Sequence, residues 1–412
     1  DRRGFRAAKE KSHGTSATSE VREFRIRMGM ELDLMNLWFG KTADYFKQFI
    51  SDQTIGMARI NRFDFTTLPI NLLYLLYYEY RRNEKESLNF SFFEYGKNSN
   101  GNPDDDRWEM YLELQEMYAI LQRWYNDKEL YHYLGFLFFN FKAQTPFRDI
   151  YTQWKALNSR DKFLKDIQHT IATRMLDRYL EETEKAAPDY QKCLKTMTEA
   201  ISDFRENWYN NDKELYQILI LLDIFRILDS KSIKKLPTDY FTRKSGQKDG
   251  EDKEHILSQT PRKDNGEIAT IKTDWEKFVQ SEDFKDIRSQ MQEILNHSDA
   301  ELTEQELTQL QNLLNSAGLN SIGNMVLLDL RINRSYENAD YAHKRTIIFQ
   351  EYMNQKYVRP HTLAVFMKGD IDAREATGIP LNRWTLEDIK RNTDKIAKEI
   401  GKNFNAWLTQ NN

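Results

Sequence analysis

The sequence predicts a mainly α-helical protein of at least two domains, the second containing a small α+β region. Charged residues make up 30% of the 412 positions, with only 16 Gly and 8 Pro, a balance typical of helix-rich chains. Apolar residues, 40% of the total, are enough for a sizeable core and recur at helical spacing over most of the chain. The second half contains two apolar runs of strand length, "HILSQ" (255–259) and "MVLLD" (325–329).

The first domain is predicted to be an array of helices. Residues 1–20 are small, charged and without periodicity, which predicts a disordered tail before a helical domain over 21–235. The segment 104–125, which has a long apolar face at helical spacing, begins with acidic residues. These complement the dipole of the predicted helix. The predicted helices of this domain cover 22–50, 68–80, 104–125, 129–141, 161–183, 190–208 and 215–228.

A second domain is predicted for residues 236–412. The composition changes near residue 231, where a charged segment with Gly and Pro (231–253) indicates a boundary loop. The two strand-length runs are separated by an insertion, and a helix follows the second run. The helices predicted for this domain cover 274–295 and 299–314 within the insertion, 336–357 after the second strand, and 383–408 at the C-terminal end.

Charge, cysteine content and hydropathy narrow the classes of function. A net charge of −4 gives no global attraction to nucleic acid, so any basic surface must be local. The single cysteine, Cys193, excludes an internal disulfide and any zinc site with two or more thiolates, and it fits a reducing cytoplasm. No apolar stretch reaches the roughly 18–20 residues that span a bilayer, so no membrane partner is expected. The opening "DRRGF" has neither Met nor a signal-peptide pattern, which suggests a piece of a longer protein.

His255 is the strongest candidate for chemistry among the 7 histidines. It follows Glu254 directly, with Asn324 and Asn333 downstream, the two asparagines nine positions apart. Taken alone, such a histidine is more often structural than catalytic, but partners in this order favour catalysis. A neutral imidazole, with an unperturbed pKa of about 6.5, can act as a general base near pH 7. Neighbouring side chains of a strand face opposite ways, so Glu254 and His255 share a site only if the backbone is irregular or one side chain reaches round.

The pattern "EHILSQ…IGNMVLL…N…EN…K" resembles HNH nucleases, in which an N-L-x-x-L stretch precedes a metal-binding residue by the same separation. More specifically, it is similar to the C-terminal domain of the GmrSD-like modification-dependent (type IV) restriction endonucleases. That family shows D-x-E-H-I-x-P-Q, then G-N-L-T-L-L, then N…S-N…F…K. The resemblance is strong over roughly 240–410 and weak over the preceding helical region. It implies a ββα-metal fold: a β-hairpin with a long insertion, followed by a helix.

The resemblance implies a role for each matching residue. His255 takes the general-base position, and Asn324 corresponds to the central Asn of the catalytic motif, whose side chain fixes the loop between strand and helix. Glu254 and Asn333 take the metal-ligand positions. The cation they imply is Mg²⁺, with Mn²⁺ as the alternative, because hard divalent cations prefer oxygen ligands and stabilise charge during phosphodiester hydrolysis.

Other matching residues are implied in DNA contact or in support of the site. Arg334, Lys344 and Arg345 would bind the phosphate backbone, and Asp252 and Asn338 match family positions with a supporting role. The chain departs from the family at Ser258 in place of Pro, Met325 in place of Leu and Tyr341 in place of Phe. None of these departures removes a catalytic functional group, so we expect an intact site.

The hypothesis is therefore a metal-dependent DNA endonuclease of a restriction or phage-defence system, acting in the cytoplasm on modified or foreign DNA. Two alternatives remain open: a catalytically inactive helical adaptor or regulatory subunit, and an RNA nuclease, since this type of site does not choose the sugar. The family's D-G-Q-Q-R motif is absent from the sequence. The resemblance thus implies a sensor or nucleotide-hydrolysing domain or subunit outside this chain. A homodimer is also compatible with the endonuclease hypothesis, because cutting both DNA strands needs two active centres.

Overall fold

The structure is a computed structural model and describes residues 15–60, 63–82, 88, 103–231, 234–243, 250–258, 260–261, 267–280, 284–332, 341–368 and 381–410. Helix predominates throughout these residues, and their strands form one two-stranded sheet. The predicted fold class, mainly α with a small α+β region, is confirmed. Among the described helices, none is both long and apolar enough to cross a membrane.

The chain divides into two compact units, residues 1–163 and 164–412. The first unit has an aromatic core, in which Tyr45 stacks on Tyr131 with ring centroids 4.6 Å apart and Phe49 on Phe138 at 3.8 Å. Helices α2 and α6 of this unit were not predicted, and α1 begins inside the predicted tail, of which residues 1–14 lie outside the described residues. Its helices are α1 (Thr15–Phe46), α2 (Asp52–Ile60), α3 (Asn71–Arg81), α4 (Pro103–Asn126), α5 (Lys128–Asn140) and α6 (Phe147–Leu157).

The second unit contains the sheet and the remaining helices. Helix α7 begins just before it, at Arg160, so the division at Phe163 falls within a helix and far from the boundary at 235 that composition predicts. The helices of this part are α7 (Arg160–Leu176), α8 (Tyr190–Ser202), α9 (Asp212–Asp229), α10 (Lys272–Val279), α11 (Arg288–Asn296), α12 (Glu304–Ser316), α13 (Tyr341–Met353), α14 (Pro360–Met367) and α15 (Leu386–Thr409).

The sheet pairs β1 (Glu251–His255) with β2 (Met325–Asp329) in antiparallel register, with Glu251 opposite Asp329 and His255 opposite Met325. The prediction for β2 is confirmed, but the prediction of a strand over 255–259 is wrong, because β1 ends at His255. Ile256 and Leu257 leave the ladder and are buried in the core. Their amides are taken instead by Asn324, through its backbone oxygen at 2.9 Å and its Oδ1 at 2.8 Å.

Among its described residues, the insertion between the strands contains one α-helix more than predicted. The segment expected as a single helix over 274–295 is two helices, α10 and α11, joined where Arg288 Nε donates to the Val279 carbonyl at 3.2 Å. Helix α14 was not predicted. It is anchored on β2, where Thr362 Oγ1 donates to the Leu327 carbonyl at 2.7 Å.

The core of the second unit forms around β2 and the helices of the insertion. Val326, Trp275 and Leu310 are fully buried in it. Helix α15 begins at a capping box in which Thr385 and Asp388 each bond the other's backbone amide. Its first turns lie against the short 3₁₀ turn Ile322–Asn324, where Asn392 Nδ2 donates to the Gly323 carbonyl at 2.8 Å. The turn that precedes β2 is thereby fixed by the last helix.

Candidate active site

His255, the last residue of β1, has its imidazole held between a ring and an amide. Its Nε2 lies 2.9 Å from Asn320 Oδ1, and its ring stacks on Tyr209 with centroids 4.7 Å apart and planes 21° apart. The residue is 8% exposed, so the imidazole is largely withdrawn from solvent. Tyr209 lies in the 3₁₀ turn Trp208–Asn210, directly before α9.

Asn324 is completely buried, and its side-chain amide makes three hydrogen bonds to backbone. Oδ1 accepts from Leu257 N at 2.8 Å, while Nδ2 donates to the Leu257 carbonyl at 3.0 Å and to the Leu319 carbonyl at 2.9 Å. This one side chain therefore fastens the segment after His255 to the loop before β2. Its contacts are those of a positioning residue, in line with the loop-fixing role implied by the resemblance.

Glu254, next to His255 in β1, has a different partner. Its Oε1 accepts from Lys344 Nζ at 2.7 Å, and the same ammonium donates to the His255 carbonyl oxygen at 2.8 Å. The Lys344 side chain is 1% exposed, so α13 carries a buried positive charge to the end of β1. The two adjacent side chains thus have separate surroundings, as expected for neighbours in a strand.

The other predicted site residues that the structure describes have partners other than His255 and Glu254. Asp252 accepts from the Tyr216 hydroxyl at 3.1 Å and pairs with Arg243 at 3.3 Å. Arg345, also in α13, donates from Nε to the Phe366 carbonyl at 2.9 Å. Three predicted residues lie outside the described residues: Asn333, Arg334 and Asn338.

Glu254 has oxygen ligands of the kind that a hard cation prefers, but Lys344 occupies its carboxylate and the described residues assemble no metal site. Within the described ranges, no group of three or more His, Cys, Asp or Glu side chains is arranged to hold a metal ion. Two oxygens, Glu254 Oε1 and the His255 carbonyl, do converge on one positive charge, the Lys344 ammonium. Carboxylate and carbonyl oxygens of this kind are ligands that Mg²⁺ and Mn²⁺ accept.

A buried ionic network holds the other end of β1. Arg359, immediately before α14, donates from Nε and Nη2 to both carboxylate oxygens of Glu251, at 2.8 and 2.7 Å, and from Nη1 to Asp223 of α9 at 2.7 Å. All three side chains are at most 2% exposed. Burial raises the pKa of Asp223 to about 6, although Arg359 acts in the opposite direction. Charge-assisted bonds of this kind fix β1 to two helices.

Sequence reasoning missed several residues that position the site: Asn320, Tyr209, Asp223, Glu251 and Arg359. Asp223 had a visible signal, because a single carboxylate within an otherwise apolar helical run requires a buried partner. Asn320 lies in the loop "NSAGLNSIGN" with Asn324, but nothing in that loop shows which asparagine reaches the histidine. No feature of the sequence around Tyr209 or Arg359 indicates that these residues position the site.

Comparison with known proteins supports a nuclease domain of the restriction type in this part of the chain. Residues 198–399 match the family described as "GmrSD restriction endonucleases, C-terminal domain". The matched segment contains both strands and all of the placed site residues, as well as α9, which lies before the predicted domain boundary. No curated protein and no solved structure matches the chain.

Proposed function

We propose that the chain is a metal-dependent DNA endonuclease of a restriction and phage-defence system, with an HNH-type ββα-metal site centred on His255. The observation that carries the proposal is the family match over 198–399, within which His255 ends a strand of an antiparallel pair and Glu254 stands beside it. Foreign or modified DNA in the cytoplasm is the proposed substrate. A separate sensor or nucleotide-hydrolysing partner and a homodimer belong to the same proposal.

In this proposal His255 takes a proton from water, and the water oxygen forms a bond to phosphorus. The bond from phosphorus to the 3′ oxygen breaks, leaving a 5′ phosphate, and the departing oxygen gains a proton from solvent. Glu254 and Asn333 would hold a divalent cation, which when bound supplies positive charge that stabilises the transition state. Asn324 keeps the segment after His255 in place. Arg345 provides positive charge for phosphates, which positions DNA without reading its sequence. The phosphate contact expected of Lys344 is not part of the proposal, because this side chain is buried and holds Glu254 and the His255 carbonyl instead.

The test is a plasmid-nicking assay on the purified protein with Mg²⁺ or Mn²⁺. His255→Ala should lower cleavage by about 10²–10⁴-fold, the usual contribution of a general base, with its thermal unfolding still cooperative. The matched control is His297→Ala, since the His297 side chain is exposed and its Nδ1 lies 2.7 Å from the Glu293 carbonyl oxygen, one turn earlier in the chain. Cleavage by His255→Ala at the wild-type rate would remove the histidine from the mechanism.

One observation favours a different class of function. The Glu254 carboxylate is already neutralised by a buried lysine, which is the arrangement expected of an adaptor that keeps a nuclease fold without cutting. Parallel digestion of DNA and RNA, with fluorescence anisotropy on the same oligonucleotides, separates the candidates. Cleavage of RNA alone identifies an RNA nuclease. Binding without cleavage of either, at any concentration of Mg²⁺ or Mn²⁺, identifies the adaptor.

A further inference from the structure

We propose that Asn320 is a positioning residue that fixes the neutral tautomer of His255, with the proton on Nε2 and the lone pair on Nδ1. Nδ1 is then the nitrogen that acts as the base. The catalytic consequence rests on the proposed function, whereas the tautomer itself is a property of the folded protein and can be measured without cleavage.

The first step is the orientation of the Asn320 amide. Its Nδ2 donates to Asn315 Oδ1 at 2.6 Å, which places its Oδ1 on the side of His255, 2.9 Å from Nε2. A carboxamide oxygen only accepts hydrogen bonds, so the imidazole must donate. In a neutral imidazole one nitrogen carries the proton and the other the lone pair. The proton on Nε2 therefore leaves the lone pair on Nδ1.

The second step is that one buried side chain, Asn324, holds the backbone next to both partners of this bond. Asn324 binds the Leu319 carbonyl, one residue before Asn320, and both backbone groups of Leu257, two residues after His255. The Asn320 carbonyl also accepts from Trp208 N at 2.9 Å. The backbone beside both partners is thus fixed before any substrate arrives, while Asn315 holds the Asn320 side-chain amide itself.

The third step is that the plane of the imidazole is fixed, in addition to the direction of its Nε2. Tyr209 stacks on its face, and the Lys253 ammonium lies over the Tyr209 ring, 4.1 Å from the centroid. Lys253 is itself tied to the Tyr209 carbonyl and to the Asp212 carboxylate. Stacking restricts the tilt of the imidazole, while Asn320 restricts its rotation within the plane. Together they leave Nδ1 pointing in one direction.

This arrangement has a chemical consequence for proton transfer. When Nδ1 takes a proton, the imidazolium keeps its bond to Asn320, which becomes charge-assisted and shorter. The neutral amide cannot accept a second proton, so the charge stays on the ring. The proton that leaves the attacking water is therefore held at Nδ1 until solvent removes it.

The experiment is ¹⁵N NMR of the metal-free protein labelled at histidine, recorded at one alkaline pH for the wild type and every variant. His255→Gln assigns the signal. We expect the ¹⁵N shift of a lone-pair nitrogen at Nδ1 and that of an N–H nitrogen at Nε2. Asn320→Asp, which retains an acceptor, should keep this pattern, whereas Asn320→Ala should give a mixture of tautomers and lower cleavage by about 10- to 100-fold, the usual cost of losing such an outer partner.

A second variant guards against misfolding. Asn315→Ala changes a half-exposed residue and releases the Asn320 amide, so it should also mix the tautomers. An Nδ1–H tautomer in the wild type, or an unchanged tautomer in both alanine variants, overturns the proposal. The expected tautomer in a protein that cleaves nothing supports the positioning role and counts against the proposed function alone.

Discussion

At the scale of single residues, His255 is held by partners that lie far from it along the chain. The order of Glu254, His255 and Asn324 leads to residues that the structure brings together at the end of β1. The residues that hold His255 itself, Asn320 and Tyr209, were missed, since their types and spacing are those of ordinary loop residues. Their role depends on a fold that brings positions 65 residues apart within hydrogen-bonding distance.

The buried network around Arg359 leads to a prediction about pH. Two carboxylates, Glu251 and Asp223, share one guanidinium without solvent, so the group carries a net negative charge when both are ionised. The pKa of Asp223 in the folded protein, about 6, lies above its ordinary value of 3.8. The associated stabilisation is therefore fully present below about pH 4 and is lost as the pH rises through 6.

Asp223→Asn removes this titration. We expect the free energy of unfolding of the wild type, measured relative to the variant, to fall by roughly 2–3 kcal/mol between pH 4 and pH 7, since each pKa unit corresponds to about 1.4 kcal/mol. Urea denaturation at several pH values provides the measurement. The exposed control Asp299→Asn should follow the wild type throughout. A constant difference between wild type and Asp223→Asn would show that Asp223 does not titrate in this range.

At the scale of elements, the sequence predicts a helix closely where the helix has a long apolar face. It predicts a strand only where the strand itself consists of apolar residues. Helix α15 and strand β2 agree closely with prediction because each has a clear apolar pattern. Strand β1 consists of five polar residues, "EDKEH", so its pattern indicates no strand. Those residues form a strand because several of them have partners supplied by other elements, such as Arg359, Asp212 and Lys344.

The contact between α15 and the turn before β2 depends on a glycine. A Cβ at Gly323 would lie 2.3 Å from both the Ile389 carbonyl oxygen and Thr393 Oγ1, so the helix would have to move. Gly323→Ala should therefore lower the free energy of unfolding by about 1–3 kcal/mol, the usual cost of overpacking. Thermal or urea denaturation measures the change.

The control for this substitution is Gly29→Ala in α1, where a Cβ meets nothing within 4 Å. Alanine favours an exposed helix by up to about 1 kcal/mol over glycine, so this variant should be as stable as the wild type or slightly more so. Equal stability of Gly323→Ala and Gly29→Ala would mean that α15 does not lie as close to the turn as the structure has it.

At the scale of the whole molecule, helix α9 precedes the predicted boundary at 235 but makes its contacts with elements that follow it. The change in composition near 231 marks a charged surface segment, whereas α9, which precedes it, packs on α14 and β2. Asp212 and Asp223 of α9 bind Lys253 and Arg359, respectively. The helix therefore belongs with the sheet, a relation that depends on long-range pairing that local composition does not record.

A fragment comparison tests this relation. Residues 236–412 keep Glu251 and Arg359 but lack Asp223 and the whole of α9, so a buried guanidinium loses one of its two carboxylates and β2 loses a packing partner. We expect this fragment to show no cooperative thermal transition by circular dichroism, whereas residues 160–412 unfold cooperatively. A cooperative transition of native amplitude in 236–412 would show that α9 is dispensable for the sheet.

The wide separation of paired residues along the chain has a consequence for synthesis. His255 leaves the ribosome long before Asn320 and Asn324, and Glu251 precedes Arg359 by 108 residues. A nascent or prematurely terminated polypeptide that ends before the loop preceding β2 has the histidine but neither of its anchors. If the protein cuts DNA, the host is exposed to that activity only after the segment that carries Asn320 and Asn324 has been translated.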